Sequence, residues 1–100
     1  MPKLYEFLGI VVFFYSNEHE PVHVHARWQD FESKIEFKIV NGVIVKLSIS
    51  SVPGRRPLPP KQSKLFKSLA TQLSDEIVAS WVNFFVYNKK IVCKKIEKIG

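Results

Sequence analysis

The chain is poor in the residues that would place it among secreted, membrane or repeat proteins. It has one cysteine, so no intramolecular disulfide can form, and a reducing compartment is the expected setting. Cys93 lies between Val92 and Lys94 with no His, Asp or Asn placed to activate it, which makes it structural rather than nucleophilic. The longest apolar run, Phe7 to Tyr15, is nine residues, too short to cross a bilayer as a helix. Its length would suit a signal-peptide core, but it leads into Ser16-Asn17-Glu18-His19 rather than a small-residue cleavage site, so a signal peptide is not expected. A soluble, cytoplasmic protein that makes no membrane contact is expected. Internal repeats and low-complexity tracts are also missing, which excludes a solenoid.

Acidic residues are scarce in one part of the chain only. Residues 1–36 carry six acids and three bases, whereas residues 37–100 carry three acids and twelve bases. That asymmetry suggests an acidic partner for the second half, nucleic acid or an acidic protein, beside the simpler role of keeping a small domain soluble. What the chain does have is hydrophobic and aromatic: 46% hydrophobic residues, with eight Phe, three Tyr and two Trp in 100 residues. This composition predicts one folded domain spanning residues 1–100.

The run Phe7–Tyr15 is β-branched and aromatic without polar alternation, as a strand buried on both faces would be. Gly9 marks a bend near its start. After the polar stretch Ser16–Pro21, residues 22–28 alternate: Val22, Val24, Ala26 and Trp28 to the core, His23, His25 and Arg27 to the opposite, more open face. Residues 31–39 alternate again, with Phe31, Ile35, Phe37 and Ile39 inward. Beyond Asn41-Gly42, Val43, Val45, Leu47 and Ile49 take the inward role. A two-residue hairpin loop would set these two apolar groups on opposite faces. The spacing therefore predicts a three-residue loop, Val40–Gly42, pairing Ile39 with Val43 and Glu36 with Lys46. Val52–Pro60 is a stiff proline-rich connector. From Lys61 the apolar spacing is helical, predicting segments near 60–73 and 75–87, and residues 91–99 return as a short basic edge strand. The class is α+β: an approximately five-stranded, mostly antiparallel sheet with one long or two short helices on one face. Trp28 and Trp81 are expected to meet in its core.

All three histidines, His19, His23 and His25, fall within seven residues. Imidazoles two apart on a strand share a face and can converge on one divalent ion such as zinc. Pro21 can fold the preceding loop back so that His19 supplies a third ligand, with Glu18 or Glu20 as a fourth ligand or, like Arg27, as a group that orients an imidazole by bonding to it. Such a site suits hydrolysis; the alternatives are a histidine loop held by hydrogen bonds alone, and metal-free catalysis or the binding of an anionic ligand by the histidines and Arg27. Arg55, Arg56, Lys61, Lys64 and Lys67 form a candidate basic surface for phosphate-bearing partners. The residues leave open whether the protein is an enzyme.

Phe7-x-Gly9-Ile10, Tyr15 and Glu18-His19-x-Pro21-x-His23-x-His25-Ala26 resemble the small prokaryotic domain-of-unknown-function family 4160, over residues 7–26. Glu76-Ile77-x-x-x-Trp81 and Lys95-Ile96-Glu97 resemble its later helix and tail. Glu18 stands where the family usually has Asp, and Val22 where it has a second Pro. The resemblance implies a stand-alone α+β protein often encoded beside another small domain, an arrangement like a toxin–antitoxin pair, and so a small partner protein encoded nearby. Monomer and homodimer are both compatible with a basic edge strand. His23-Val24-His25 also has the His-hydrophobic-His form of single-strand nicking nucleases, with Tyr87 in the order their attacking tyrosine would take.

Overall fold

Six strands and two helices follow in the order β1 (Lys3–Phe7), β2 (Ile10–Phe13), β3 (His23–Trp28), β4 (Phe31–Val40), β5 (Val43–Ser51), α1 (Pro60–Gln72), α2 (Ser74–Phe85) and β6 (Lys94–Ile96). The computed structural model describes residues 2–17 and 21–98. The strands form one sheet in the order β5-β4-β3-β2-β1-β6, antiparallel throughout except where β6 runs parallel to β1. The α+β class is as the sequence predicts, with six strands rather than about five.

The extra strand is β1, which precedes the first apolar run and shares only Phe7 with it. Phe7–Tyr15 is not one strand: Leu8 and Gly9, with φ of 50° and 81°, reverse the chain between β1 and β2. Two successive positive φ values make the tight turn that matches the twist of a hairpin. Gly9 suits the turn by its positive φ, and it lies against the Trp28 indole, which a Cβ would meet at 3.4 Å, an ordinary contact.

The second correction concerns the β4–β5 hairpin. Its loop is the two-residue Asn41-Gly42, with φ of 51° and 77°, so Val40 pairs with Val43 and Ile39 with Ile44. The parity conflict is resolved by a bulge: beyond Ile39–Ile44 the register shifts so that Lys38 faces Lys46 and Phe37 faces Leu47. One extra residue on β5 flips the alternation. Ile44, Leu47 and Ile49 therefore pack toward the core, while Val43 and Val45 are exposed. Glu36 lies opposite Ser48, not Lys46.

The helices are where the spacing predicts them. Pro60 occupies the first turn of α1, where its missing N–H costs nothing. Leu73 separates α1 from α2 while the hydrogen-bond pattern continues through it, from Leu73 N–H to Leu69 O and from Ile77 N–H to Leu73 O. Phe66, Leu69, Ile77 and Trp81 of the helices are buried with Ile10, Val12, Val24, Ala26, Ile35 and Phe37 of the sheet. Each of the large aliphatic and phenylalanine side chains among them contributes about 1.5–3 kcal/mol by leaving water. Trp81 packs against Phe85, whereas Trp28 stacks on Phe31. Both tryptophans thus join the one hydrophobic cluster, as expected, but each stacks on a phenylalanine rather than on the other.

Because α1 and α2 cover one face, the sheet has a second face that no helix covers. The polar half of β3 points there.

Candidate functional site

The alternation of β3 places His23, His25 and Arg27 opposite the core residues Val24 and Ala26, as expected. That face is not open at the histidines, however. His25 is 2% exposed and His23 7%. The Phe13 ring stacks on His25 with centroids 5.5 Å apart, and Tyr15 meets the same imidazole edge-on at 4.5 Å. The histidine rings are themselves in contact, 5.0 Å between centroids.

At the centre of this face is Glu32 of β4, which alternation alone marks as a solvated charge and which is 0% exposed. Register explains its company: Arg27 faces Glu32 directly across the β3–β4 hairpin. Arg27 donates from Nε (3.3 Å) and Nη2 (3.1 Å) to Glu32 Oε1. His25 Nδ1 lies 3.2 Å from Glu32 Oε2. The Tyr15 hydroxyl donates to Oε2 at 3.0 Å and accepts from Arg27 Nη2 at 3.3 Å. Arg55, from the connector, brings Nε to 3.7 Å from Oε1.

These contacts set the electrostatics. Burial raises the Tyr15 phenol above its usual range, and the hydrogen bond to Glu32 pushes it the same way, so Tyr15 stays protonated. Burial works against the Arg27 charge, but the hydrogen bonds and attraction to Glu32 outweigh it and raise its pKa. A carboxylate shut away from water is tolerable only with this many donors on it.

The sequence-derived candidates separate into groups. His23 and His25 come together. His23 Nδ1 lies 2.6 Å from the Pro21 carbonyl and His25 Nδ1 points to Glu32. A carbonyl and a carboxylate can only accept, so each Nδ1 carries a proton, and a carboxylate on Nδ1 is the kind of contact that fixes the orientation of a metal-ligating imidazole. His19, Glu18 and Glu20 lie outside the described residues. Among the described residues there is no cluster of three or more His, Cys, Asp or Glu side chains able to hold a metal ion. Arg27 joins the histidine face through Glu32, which together with Tyr15 is what a reading by alternation misses. The two-residue gap between the strands at 22–28 and 31–39 was the available signal, since a tight turn there pairs Arg27 with Glu32.

The basic candidates divide as well. The connector continues alongside β4 where β5 stops, with Arg56 bridging to Phe31 and Glu32 N–H bonding to Arg56 O at 2.8 Å. Neighbouring residues thus go to opposite faces: Arg55 to Glu32, Arg56 onto the Phe31 ring at 4.7 Å. Lys61, Lys64 and Lys67 are exposed on α1. Tyr87, 63% exposed, follows α2, the helix packed on the face opposite the histidines. Cys93 is exposed, and partial burial together with the nearby Glu6 raises its thiol pKa, which makes it a weak nucleophile at neutral pH. No helix among the described residues is long and apolar enough to cross a membrane.

A sheet covered by helices on one side, carrying a buried carboxylate with histidine, arginine and tyrosine partners on the other, defines a small α+β protein with a single polar-cored face. The model of a family described as a domain of unknown function, DUF4160, matches residues 9–82. The chain belongs to that family. No curated protein and no solved structure matches it.

Proposed function

We propose that the protein is a binding module for a polyanionic partner, nucleic acid in the first place, acting within a two-gene regulatory or toxin–antitoxin-like system. The observation that carries this reading is the surface of α1. Lys61, Lys64 and Lys67 recur every third residue, all exposed, on a helix without a single acidic residue. Two of them lie in its N-terminal half, where the helix dipole disfavours cations. No Asp or Glu occurs anywhere between Glu36 and Asp75, so nothing local compensates the charge. Placement that costs helix stability is best accounted for by a phosphate backbone that relieves it.

The test is fluorescence anisotropy of a labelled single-stranded RNA and a duplex DNA over a salt series. Losing three phosphate contacts in the combined Lys61→Ala, Lys64→Ala and Lys67→Ala variant lowers the log–log salt slope on single strands by about 2. No binding at about 50 mM salt, or an unchanged slope in the variant, overturns the nucleic-acid reading. Co-purification with the neighbouring gene product would then direct attention to an acidic protein partner.

A second reading, a metal-dependent hydrolase or nuclease using His19, His23 and His25, is favoured by the Nδ1 contacts of the two described histidines. A thermal-shift titration of untagged protein with zinc, manganese and nickel tests it. Stabilisation that disappears in His23→Ala/His25→Ala supports a metal site. An unchanged melting temperature with every metal leaves the histidines as architecture.

A further inference from the structure

We propose that Arg27 and Arg55, anchored on the buried Glu32, form a discrete binding site for a phosphate group on the helix-free face of the sheet. This goes beyond the lysine surface of α1: it involves other residues and a different face.

The argument begins with charge. One carboxylate, fully buried, meets two guanidiniums, one 3.1 Å away and the other 3.7 Å away at the same oxygen, Oε1. A structural ion pair needs only one of them, and the second guanidinium is in excess of the single negative charge on Glu32. The anchor is inaccessible, but the arginine side chains are 33% and 42% exposed. Arg27 uses Nε and Nη2 within the protein, so Nη1 is the donor it presents outward. Arg55 Nε is beyond hydrogen-bond distance from Glu32, so the carboxylate orients that side chain by its field while its fork of donors takes no described partner.

Chemistry selects the ligand. A guanidinium fork matches two oxygens of a tetrahedral phosphate, and two forks on one side can grip a single phosphate together. The Tyr15 hydroxyl, bonded to both Glu32 and Arg27, closes the inner side of the pair. Fixing guanidiniums on a buried carboxylate removes much of the ordering cost that flexible surface lysines incur on binding. The same carboxylate repels any anion that would replace it, so the ligand takes the outward donors and leaves the anchor in place.

The experiment is an NMR titration of untagged protein with inorganic phosphate in phosphate-free buffer, following the arginine Nε–Hε signals. Saturable shifts at Arg27 and Arg55 are expected, with binding weakened roughly tenfold by Arg55→Ala and unchanged in the α1 triple lysine variant. Arg55→Lys keeps the charge without the fork and is expected to lose most of the affinity, with the spectrum elsewhere preserved. Acetate at matched ionic strength is expected to give no saturable shift. The proposal is overturned by phosphate shifts that do not saturate, by wild-type affinity in both Arg55 variants, or by acetate binding as well as phosphate.

Discussion

Two tyrosine–glutamate–cation clusters, one on each face of the sheet, use nearly the same residue types for different ends. On the helix-free face, Glu32 gathers Tyr15, His25, Arg27 and Arg55. On the helix side, the β1–β6 register puts Lys94 beside Tyr5, and both donate to Oε1 of Glu76 on α2, at 3.0 Å and 2.7 Å. That second cluster borders a cavity of about 230 Å³ also lined by Lys89 and Lys90. Glu32 is 0% exposed and Glu76 41%. Water already solvates Glu76, so its ion pair adds little to stability. Glu32 has no water to return to, so removing it strands several donors at once. Location, rather than residue type, decides which cluster the fold depends on.

The sharpest way to break this comparison is Glu32→Ala. It takes from the Arg27 guanidinium, an imidazole and a phenol the carboxylate they bond to and from Arg55 its counter-charge, and is expected to cost about 3–5 kcal/mol in urea denaturation. A loss below about 1 kcal/mol would show that the cluster does not hold the sheet face together. Tyr15→Phe removes a single neutral donor from the same carboxylate and is expected to cost about 1.5–3 kcal/mol by the same measurement. Glu76→Ala should cost less than about 1 kcal/mol, as exposed pairs do. Equal losses at Glu32 and Glu76 would erase the contrast between them.

The smallest effect expected is in acid. Hydrogen bonds from Tyr5 and then from Lys94 hold the Glu76 carboxyl below its usual 4.5, against the opposing effect of burial. A depressed folded-state pKa means that the unfolded chain takes up the proton first as pH falls. The Glu76 contribution is therefore complete above the unfolded value of 4.5 and is lost progressively below it. Melting temperatures of wild type and Glu76→Gln should differ slightly at pH 7 and converge toward pH 3; a gap that is constant with pH would mean the pair does not titrate this way. Tyr5 shifts in the other direction. Burial, reinforced by Glu76, keeps the phenol protonated well beyond the ordinary 10.0, so its contribution is whole below that pH and declines above it.

Legibility differs from element to element. The helices were readable because Pro60, the threefold and fourfold apolar spacing and the break before Ser74 are all local signals. The faces of β3 were readable because side chains alternate along any strand. The β4–β5 loop was not. Asn41-Gly42 correctly signals a two-residue turn, yet the apolar pattern demands the opposite parity, and only the extra residue on β5 satisfies both. The first hairpin was hidden because Leu8, an unfavourable residue for positive φ, takes it beside Gly9. At the site, His23 and His25 were identifiable as neighbours on one face, but Glu32 reads as an ordinary outward charge in an alternating strand.

The sequence by itself thus determined which way the residues of β3 face, where the helices run, how the charge divides along the chain and to which family it belongs. These are properties of short windows, set by backbone geometry and the chemistry of adjacent residues. The tertiary structure alone decided that the histidines and Glu32 are enclosed, that Arg55 and Arg56 part to opposite faces, and that a bulge restores the register of β5. Those outcomes depend on segments distant in the chain, Tyr15 folding over His25 and the connector taking the place of β5 beside β4. Burial is created by whatever packs on a face, and alternation within a strand carries no record of what that will be.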